Sequence, residues 1–402
     1  MEATGRPGRH PGGVTGMRIT AAEMLGVRVT PRTNWCFLLI RTDAGLTGLG
    51  ECTLSGEEAG LAAEAARLGA RVAGEDPLLR NRLCPAPPHA PGGLVAQTVH
   101  SAFEAALWDI AGQAQGAPVH RLLGGALRDR ITLYANINRG ASPRTPEGFA
   151  AAARRAVAEG FLAVKLAPFE PLIWLEAGGE ARAQRAAYAE GLARIAAVRA
   201  AVGPDVDVMV DAHWRFSPGG VAALLRDVAP FGLFWLECPV AEANLPEIRR
   251  LRGMANERGM RLAGAETLSG LGAYRRMIEA GCYDVLMPDI KHAGGHEEIR
   301  RIAALAETAG IEIAPHNPTG PVCHAHSLHL CAVLPNLLWL EVQYGETERF
   351  FSLVEGGAAL AFRQGAAAAP DRPGLGVALD ETAARASPWQ PQPRPWLDPR
   401  LG

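Results

Sequence analysis

Six ionisable residues recur at a regular interval in the second half of the chain: Asp211, Glu237, Glu266, Asp289, His316 and Glu341, spaced 23 to 29 residues apart. Each stands at the C-terminal end of a short apolar run of the kind that forms a β-strand. In a closed barrel of parallel strands those ends converge on one mouth, where barrel active sites form. Three consecutive carboxylates there, Asp211, Glu237 and Glu266, would raise each other's pKa unless a cation compensated them. All-oxygen ligands suit a hard ion, so Mg2+ is the first expectation and Mn2+ the second. Any one of these acids could equally cap a helix or meet a basic residue on a loop. Three in register argue for a metal site.

Asp289 and His316 follow on adjacent runs. An aspartate beside a histidine fixes the imidazole tautomer and makes it a competent general base. The segment Ala314-Pro-His-Asn-Pro318 is a rigid turn that would aim the ring. His213 lies two residues past Asp211, so the period of a strand puts it on the same side. It would be a second protonic group, opposite His316, and a base facing an acid is what β-elimination needs. The alternative is a surface-loop histidine. Lys165, at the end of the second run, is a further catalytic candidate or a salt-bridge partner for one of the acids. Trp35 and Arg215 are candidates for substrate contact, and Trp35 is equally readable as plain core.

The elements that must position these groups are legible as alternation. Apolar runs at Ile131–Asn136, Leu162–Leu166, Val206–Asp211, Leu233–Cys238, Leu262–Glu266, Val285–Asp289, Ile311–His316 and Leu337–Val342 are separated by helical patterns such as Ala187–Val202 and Glu297–Ala309. Strands alternating with amphipathic helices predict parallel βα units, and eight is the number that closes a barrel. Upstream, residues 17–125 read as a small α+β region. It holds a hairpin from Cys36–Ile40 through the turn Asp43-Ala44-Gly45 to a second strand before Glu51. A helix over Gly60–Ala73 follows, and Val99, Phe103, Ala106, Leu107 and Ile110 mark one face of another. The barrel spans 126–354. The stretch 355–402 is Ala/Pro/Gly-rich, with one last strand expected at Pro373–Val377 and a Pro-rich tail from Pro388. The connection Pro168–Gly191 is long for a barrel loop, and such loops are often functional.

The chain has 402 residues, 48% of them hydrophobic and 20% charged, with a net charge of −2. Nothing in that balance suggests nucleic acid or an anionic membrane, and no apolar run is long enough to span a bilayer. Residues 1–16 lack an apolar core and read as a disordered leader rather than a secretory signal. Seven cysteines without a CxxC pair fit reduced thiols in a cytoplasmic protein.

These motifs resemble the enolase superfamily in its mandelate-racemase-like branch, over about Met17 to Val377. Segment 105–125, which includes Leu107-Trp108-Asp109 and Leu123-Gly124-Gly125, looks like that branch's characteristic cap segment. Val210-Asp211, Trp235-Leu236-Glu237, Gly264-Ala265-Glu266, Pro288-Asp289 and Pro315-His316-Asn317 look like its ligand and dyad motifs. The resemblance implies a modified (β/α)8-type barrel under an α+β capping domain, with Mg2+ on Asp211, Glu237 and Glu266. It implies abstraction of a proton α to a carboxylate. Asp211-x-His213 with Pro315-His316-Asn317-Pro318 is most similar to galactonate-dehydratase-type sugar-acid dehydratases. There His316 with Asp289 would be the base and His213 the acid that expels the β-hydroxyl. Glu341 would bind a substrate carboxylate oxygen or polarise the enediolate. Two departures stand out: the Lys-x-Lys of many relatives is Lys165-Leu166-Ala167, and Glu-Glu-Pro is Glu237-Cys238-Pro239. The expected ligand is a small hydroxy-carboxylate and the expected assembly a homo-oligomer. A racemase using His213 and His316, and a barrel that binds without catalysis, are the competing readings.

Overall fold

Along each barrel strand, alternate side chains go to opposite faces. Val164 and Leu166, Val208 and Val210, and Leu236 pack outward in the large core shared with the helices. Ala163, Met209 and Trp235 point inward and form, with Tyr134, Ala263, Val285, Met287 and Ala314, a separate cluster inside the barrel. Two residues further along the same inward rows stand Lys165, Asp211 and Glu237. Burial on both faces is the pattern of a parallel sheet covered by helices. Here the lower part of the interior is apolar and the next layer up is charged.

The computed structural model of the protein describes residues 16–85, 93–170, 172 and 181–392. The leader, the centre of the 168–191 connection and the end of the tail lie outside the described residues. Three antiparallel strands, β1 (Ile19–Thr30), β2 (Thr33–Thr42) and β3 (Thr47–Glu51), form the first sheet. The alternation of apolar residues is weak in β1, which is why only the β2–β3 hairpin is legible from sequence. Helices Glu58–Val72 and Gly93–Gln115 pack on this sheet over their own core. The approach is close: a Cβ on Gly50 of β3 would lie 2.1 Å from the carbonyl oxygen of Ala102.

Eight parallel strands follow: β4 (Ile131–Asn136), β5 (Ala163–Leu166), β6 (Asp207–Asp211), β7 (Trp235–Glu237), β8 (Arg261–Gly264), β9 (Val285–Leu286), β10 (Glu312–Ile313) and β11 (Leu340–Gln343). They pair in chain order, β11 pairs β4, and a parallel bridge between Ile313 and Leu337 brings the two ends together. The architecture is a (β/α)-barrel under an N-terminal α+β cap. Helices that cap themselves join several units: Thr145, Ser217 and Asn244 each accept a backbone N–H of the first turn, with Pro146, Pro218 and Pro246 just inside, an arrangement that favours helix initiation.

The expected strand at Pro373–Val377 does not form. Gly374 and Gly376 have φ of +71° and +80°, which breaks an extended run. Leu375 N–H instead donates to Asp109 of the cap at 2.8 Å. The short strand at Ala366–Ala367 pairs antiparallel with β4, and Trp389 N–H donates to Gly26 of β1.

Candidate active site

Asp211 and Glu237 end β6 and β7, and Glu266 sits two residues beyond β8. One carboxylate oxygen from each lies within 4.8 Å of the others, and all three residues are buried. Backbone strain is concentrated around them. Of the five described non-glycine residues with positive φ, His213, Trp214, Cys238 and Ala265 flank the three acids. Such conformations persist where surrounding structure over-determines them, and they cluster at functional sites.

The electrostatics of the triad fit a cation. Burial raises the Glu237 carboxyl to about 8; Asp211 and Glu341 add to the rise and Lys165 opposes it. Glu266 is pushed well above the usual carboxylate range by burial and then by Asp211 and Glu237. Burial also works against ionised Asp211, but pairing with His213 outweighs it and holds Asp211 at about 2. Three buried oxygen donors, two of them hard to ionise without nearby positive charge, match a hard divalent ion.

Next to the triad, His316 Nδ1 is 2.7 Å from Asp289 Oδ2. The opposing burial effect notwithstanding, Lys291, His292 and His316 hold the Asp289 carboxyl far below its usual range. An ionised carboxylate only accepts, so Nδ1–H of His316 donates to it, and in the neutral ring Nε2 is then the acceptor. That Nε2 lies 3.7 Å from Glu266 Oε1, toward the triad. On the other side, His213 Nε2 is 2.8 Å from Asp211 Oδ2, and its backbone N–H donates to Asp211 Oδ1.

Both histidines line a cavity of about 350 Å³ between barrel and cap. Asp211, Glu266 and Lys291 form part of its floor; Leu54, Ser55 and Val95 face it from the cap. This is large enough for a small ligand. The 51–57 loop therefore contributes to the wall. On the neighbouring strand β2, Thr33 binds Glu346, and Asn34 binds Glu58 and the carbonyl of Gln390.

Six candidates do not line the cavity: Glu237 and Asp289, whose contacts are given above, and four more. Trp35 is 1% exposed and packs edge-on to Phe350, because the inward face of β2 is a core face. Arg215 donates to the carbonyl of Leu172 and ties down the chain before the helix Ala181–Val202. Lys165 lies beneath the triad, with Nζ 2.6 Å from Glu237 and 2.8 Å from Glu341. Burial favours the neutral amine, but the two carboxylates override it and raise its pKa, which favours the ammonium. Glu341 is fully buried, and its oxygens accept from Lys165, Asn136 and the Asn317 N–H. Its contacts organise the His316 turn from below.

Lys291 has no counterpart in the sequence argument. Its Nζ is 2.5 Å from Asp289 Oδ2, the same oxygen that binds His316. Its position two residues past Asp289 was the available signal. Cys238, standing where the resemblance leads one to expect a second glutamate, places Sγ 3.7 Å from Glu266 Oε2. Burial and then Glu266 raise its pKa well above the usual thiol range, so it is a neutral thiol.

Residues 22–124 match the family described as mandelate racemase / muconate lactonizing enzyme, N-terminal domain, and residues 148–383 match the enolase C-terminal domain-like family. The chain belongs to the mandelate racemase/muconate lactonizing enzyme family. Within this branch of the enolase superfamily, it is 32% identical over 372 residues to D-galactonate dehydratase of Ralstonia nicotianae, covering 91% of this chain and 93% of that one. It is 34% identical over 284 residues to D-gluconate dehydratase of Thermoproteus tenax, covering 71% and 55% respectively. A family structure from Rubrobacter xylanophilus, described as mandelate racemase/muconate lactonizing enzyme-like, superposes with a TM-score of 0.81 at 32% identity, covering 94% of this chain and 99% of that one. Another, from Jannaschia sp. CCS1, gives 0.81 at 30% identity, covering 93% and 98%.

Proposed function

We propose that this protein is a magnesium-dependent sugar-acid dehydratase that converts an aldonate or aldarate to a 2-keto-3-deoxy acid. The observation that carries the reading is the placement of two histidines, His316 and His213, on either side of the carboxylate triad in one cavity. The relatives named D-galactonate and D-gluconate dehydratase support the substrate class.

Asp211, Glu237 and Glu266 would hold the divalent cation, which would supply Lewis-acid neutralisation of the charge building on the substrate carboxylate. His316 takes the α-proton at Nε2, while Asp289 holds the Nδ1–H and stabilises the imidazolium that forms. The electron pair left on the α-carbon enters the carboxylate as an enediolate. Its return expels the β-hydroxyl, which receives a proton from His213 and departs as water. The resulting enol tautomerises to the keto acid. Lys165, locked between Glu237 and Glu341, leaves no lysine base on this strand, and Ala167 offers none. That favours histidine-based elimination over lysine-based racemisation.

A panel of aldonates and aldarates incubated with Mg2+ and assayed with semicarbazide should give keto acid with at least one member. Absence of keto acid across the panel defeats the proposal. Exchange of the α-proton in deuterated water with the hydroxyl retained would identify an epimerase instead.

A further inference from the structure

We propose that two cap glutamates, Glu51 and Glu104, are positioning residues that hold the Asp289–His316 dyad in place from the cap. The helix Pro321–Val333 follows the His316 turn, and the helix Gly295–Thr308 follows the Asp289 turn. Neither has a capping side chain of its own: their N-caps are Gly320 and Gly294. Glu51, at the end of β3 and 2% exposed, fills the first role. Its Oε1 accepts from Gly320 N–H at 2.9 Å and Thr319 Oγ1 at 2.6 Å, and its Oε2 accepts from Cys323 N–H at 2.9 Å. Glu104, on the cap helix Gly93–Gln115 and 3% exposed, fills the second. It accepts from His296 N–H at 2.8 Å and Glu297 N–H at 3.3 Å. Ser101 and Thr98, on the same cap helix, bind Gly294 N–H and His292.

The glycines are the other half of the device. A Cβ on Gly320 would sit 2.8 Å from both Glu51 oxygens, and one on Gly295 would sit 2.1 Å from Glu104 Oε2. Only glycine lets each carboxylate reach the bare amides of a helix start, where negative charge is favoured. The triad is held differently. Asp211, Glu237 and Glu266 bind His213, Lys165, Trp235 and Cys238, all barrel residues. Seating of the cap therefore bears on the proton-abstracting pair, which Lys291 and Glu341 also hold from the barrel, while the metal ligands are held by barrel residues.

The catalytic consequence rests on the reading of His316 as the base; the structural half does not. The test compares Glu51→Ala, Glu104→Ala and the isosteric Glu51→Gln and Glu104→Gln in the full chain. Amide exchange by mass spectrometry should become about tenfold faster or more in 319–324 for Glu51→Ala and in 293–298 for Glu104→Ala, with β6–β8 unchanged. Mn2+ affinity should stay within about threefold of wild type. On the sugar acid that the wild type turns over, kcat should fall about a hundredfold, as for misplaced catalytic groups generally. The isotope effect from α-deuterated substrate should rise, with partial recovery in the glutamine variants. A partly unfolded variant would lose amplitude without a change in isotope effect. Unchanged exchange in the two segments, or Mn2+ affinity falling in step with kcat, overturns the inference. If the wild type turns over no sugar acid, the function reading fails, and exchange and Mn2+ binding still decide whether the glutamates hold these segments.

Discussion

Lys165 is a charge whose meaning depends on its surroundings. An ammonium at 1% exposure between two buried carboxylates neutralises a site that would otherwise carry an uncompensated cluster of acids. Removing one partner of such a buried group leaves the others uncompensated, a loss of about 3–5 kcal/mol. Lys165→Met should show that loss in urea unfolding; a change below 1 kcal/mol would mean the acids are protonated or solvated instead. His316→Asn belongs to the same scale. It keeps the volume of the turn but removes Nε2 as a base, so α-proton exchange should fall by about 10²–10⁴, read by loss of the α-proton NMR signal in deuterated water. Mn2+ binding should persist. Of these two residues, His316 was legible from its rigid turn and its spacing from Asp289. The partners of Lys165 were not, because strand order and inward direction decide which acids a buried lysine meets.

At the scale of the element, the helix Pro321–Val333 carries three buried histidines. His326 Nε2–H donates to Leu49 O of β3, and its Nδ1 meets His296 Nε2 at 2.9 Å. Burial lowers His326 to about 4, and His324 and His329 to about 3. A histidine whose folded pKa lies below its unfolded value near 6.5 stays neutral in the fold while the unfolded chain takes up its proton. Its contribution to stability is complete above pH 6.5 and declines as the pH drops toward 4. His326→Gln should therefore cost most at pH 7. That cost should shrink by up to about 1.4 kcal/mol per pH unit between pH 6 and 4.5; a cost independent of pH in chemical denaturation would rule out a neutral buried His326. Strand β8 makes a second prediction. A Cβ on Gly264 would lie 2.6 Å from the ring of Tyr283, whose hydroxyl is held by Glu242. Gly264→Ala should cost about 1–3 kcal/mol by overpacking and, by moving Glu266 two residues on, weaken Mn2+ binding in a calorimetric titration. Helix and strand types at these positions follow from local pattern, but the tightness around Gly264 comes from Tyr283, in the connection before β9.

At the scale of the whole molecule, the site is a seam. The barrel supplies the triad and both histidines, and the cap supplies part of the cavity wall and the carboxylates that hold two barrel helices. A ligand that binds only the folded state stabilises it by mass action. Mg2+ at a hundredfold excess over its Kd should thus add about 2.7 kcal/mol to the unfolding free energy, reversed by EDTA and absent in Asp211→Asn. An Asp211→Asn protein that still gained stability from Mg2+ would place the ion elsewhere. Among the described residues no helix is long and apolar enough to cross a membrane.

What the sequence by itself determined is what repeats. One apolar run and one helix per unit, with an ionisable residue at each run from the third onward, specify a barrel whose strand ends share a mouth, because the period of a parallel βα unit is written in consecutive residues. Asp211, Glu237, Glu266, Asp289 and His316 were identifiable on that basis. What only the tertiary structure decided are pairings between distant segments. Trp35 faces Phe350 rather than the cavity, and Arg215 reaches back to Leu172. Glu51 and Glu104 look like ordinary charged positions on a strand end and a helix until the cap closes over two glycine-led helix starts. Such contacts depend on burial and direction in space, which no local pattern of residues encodes.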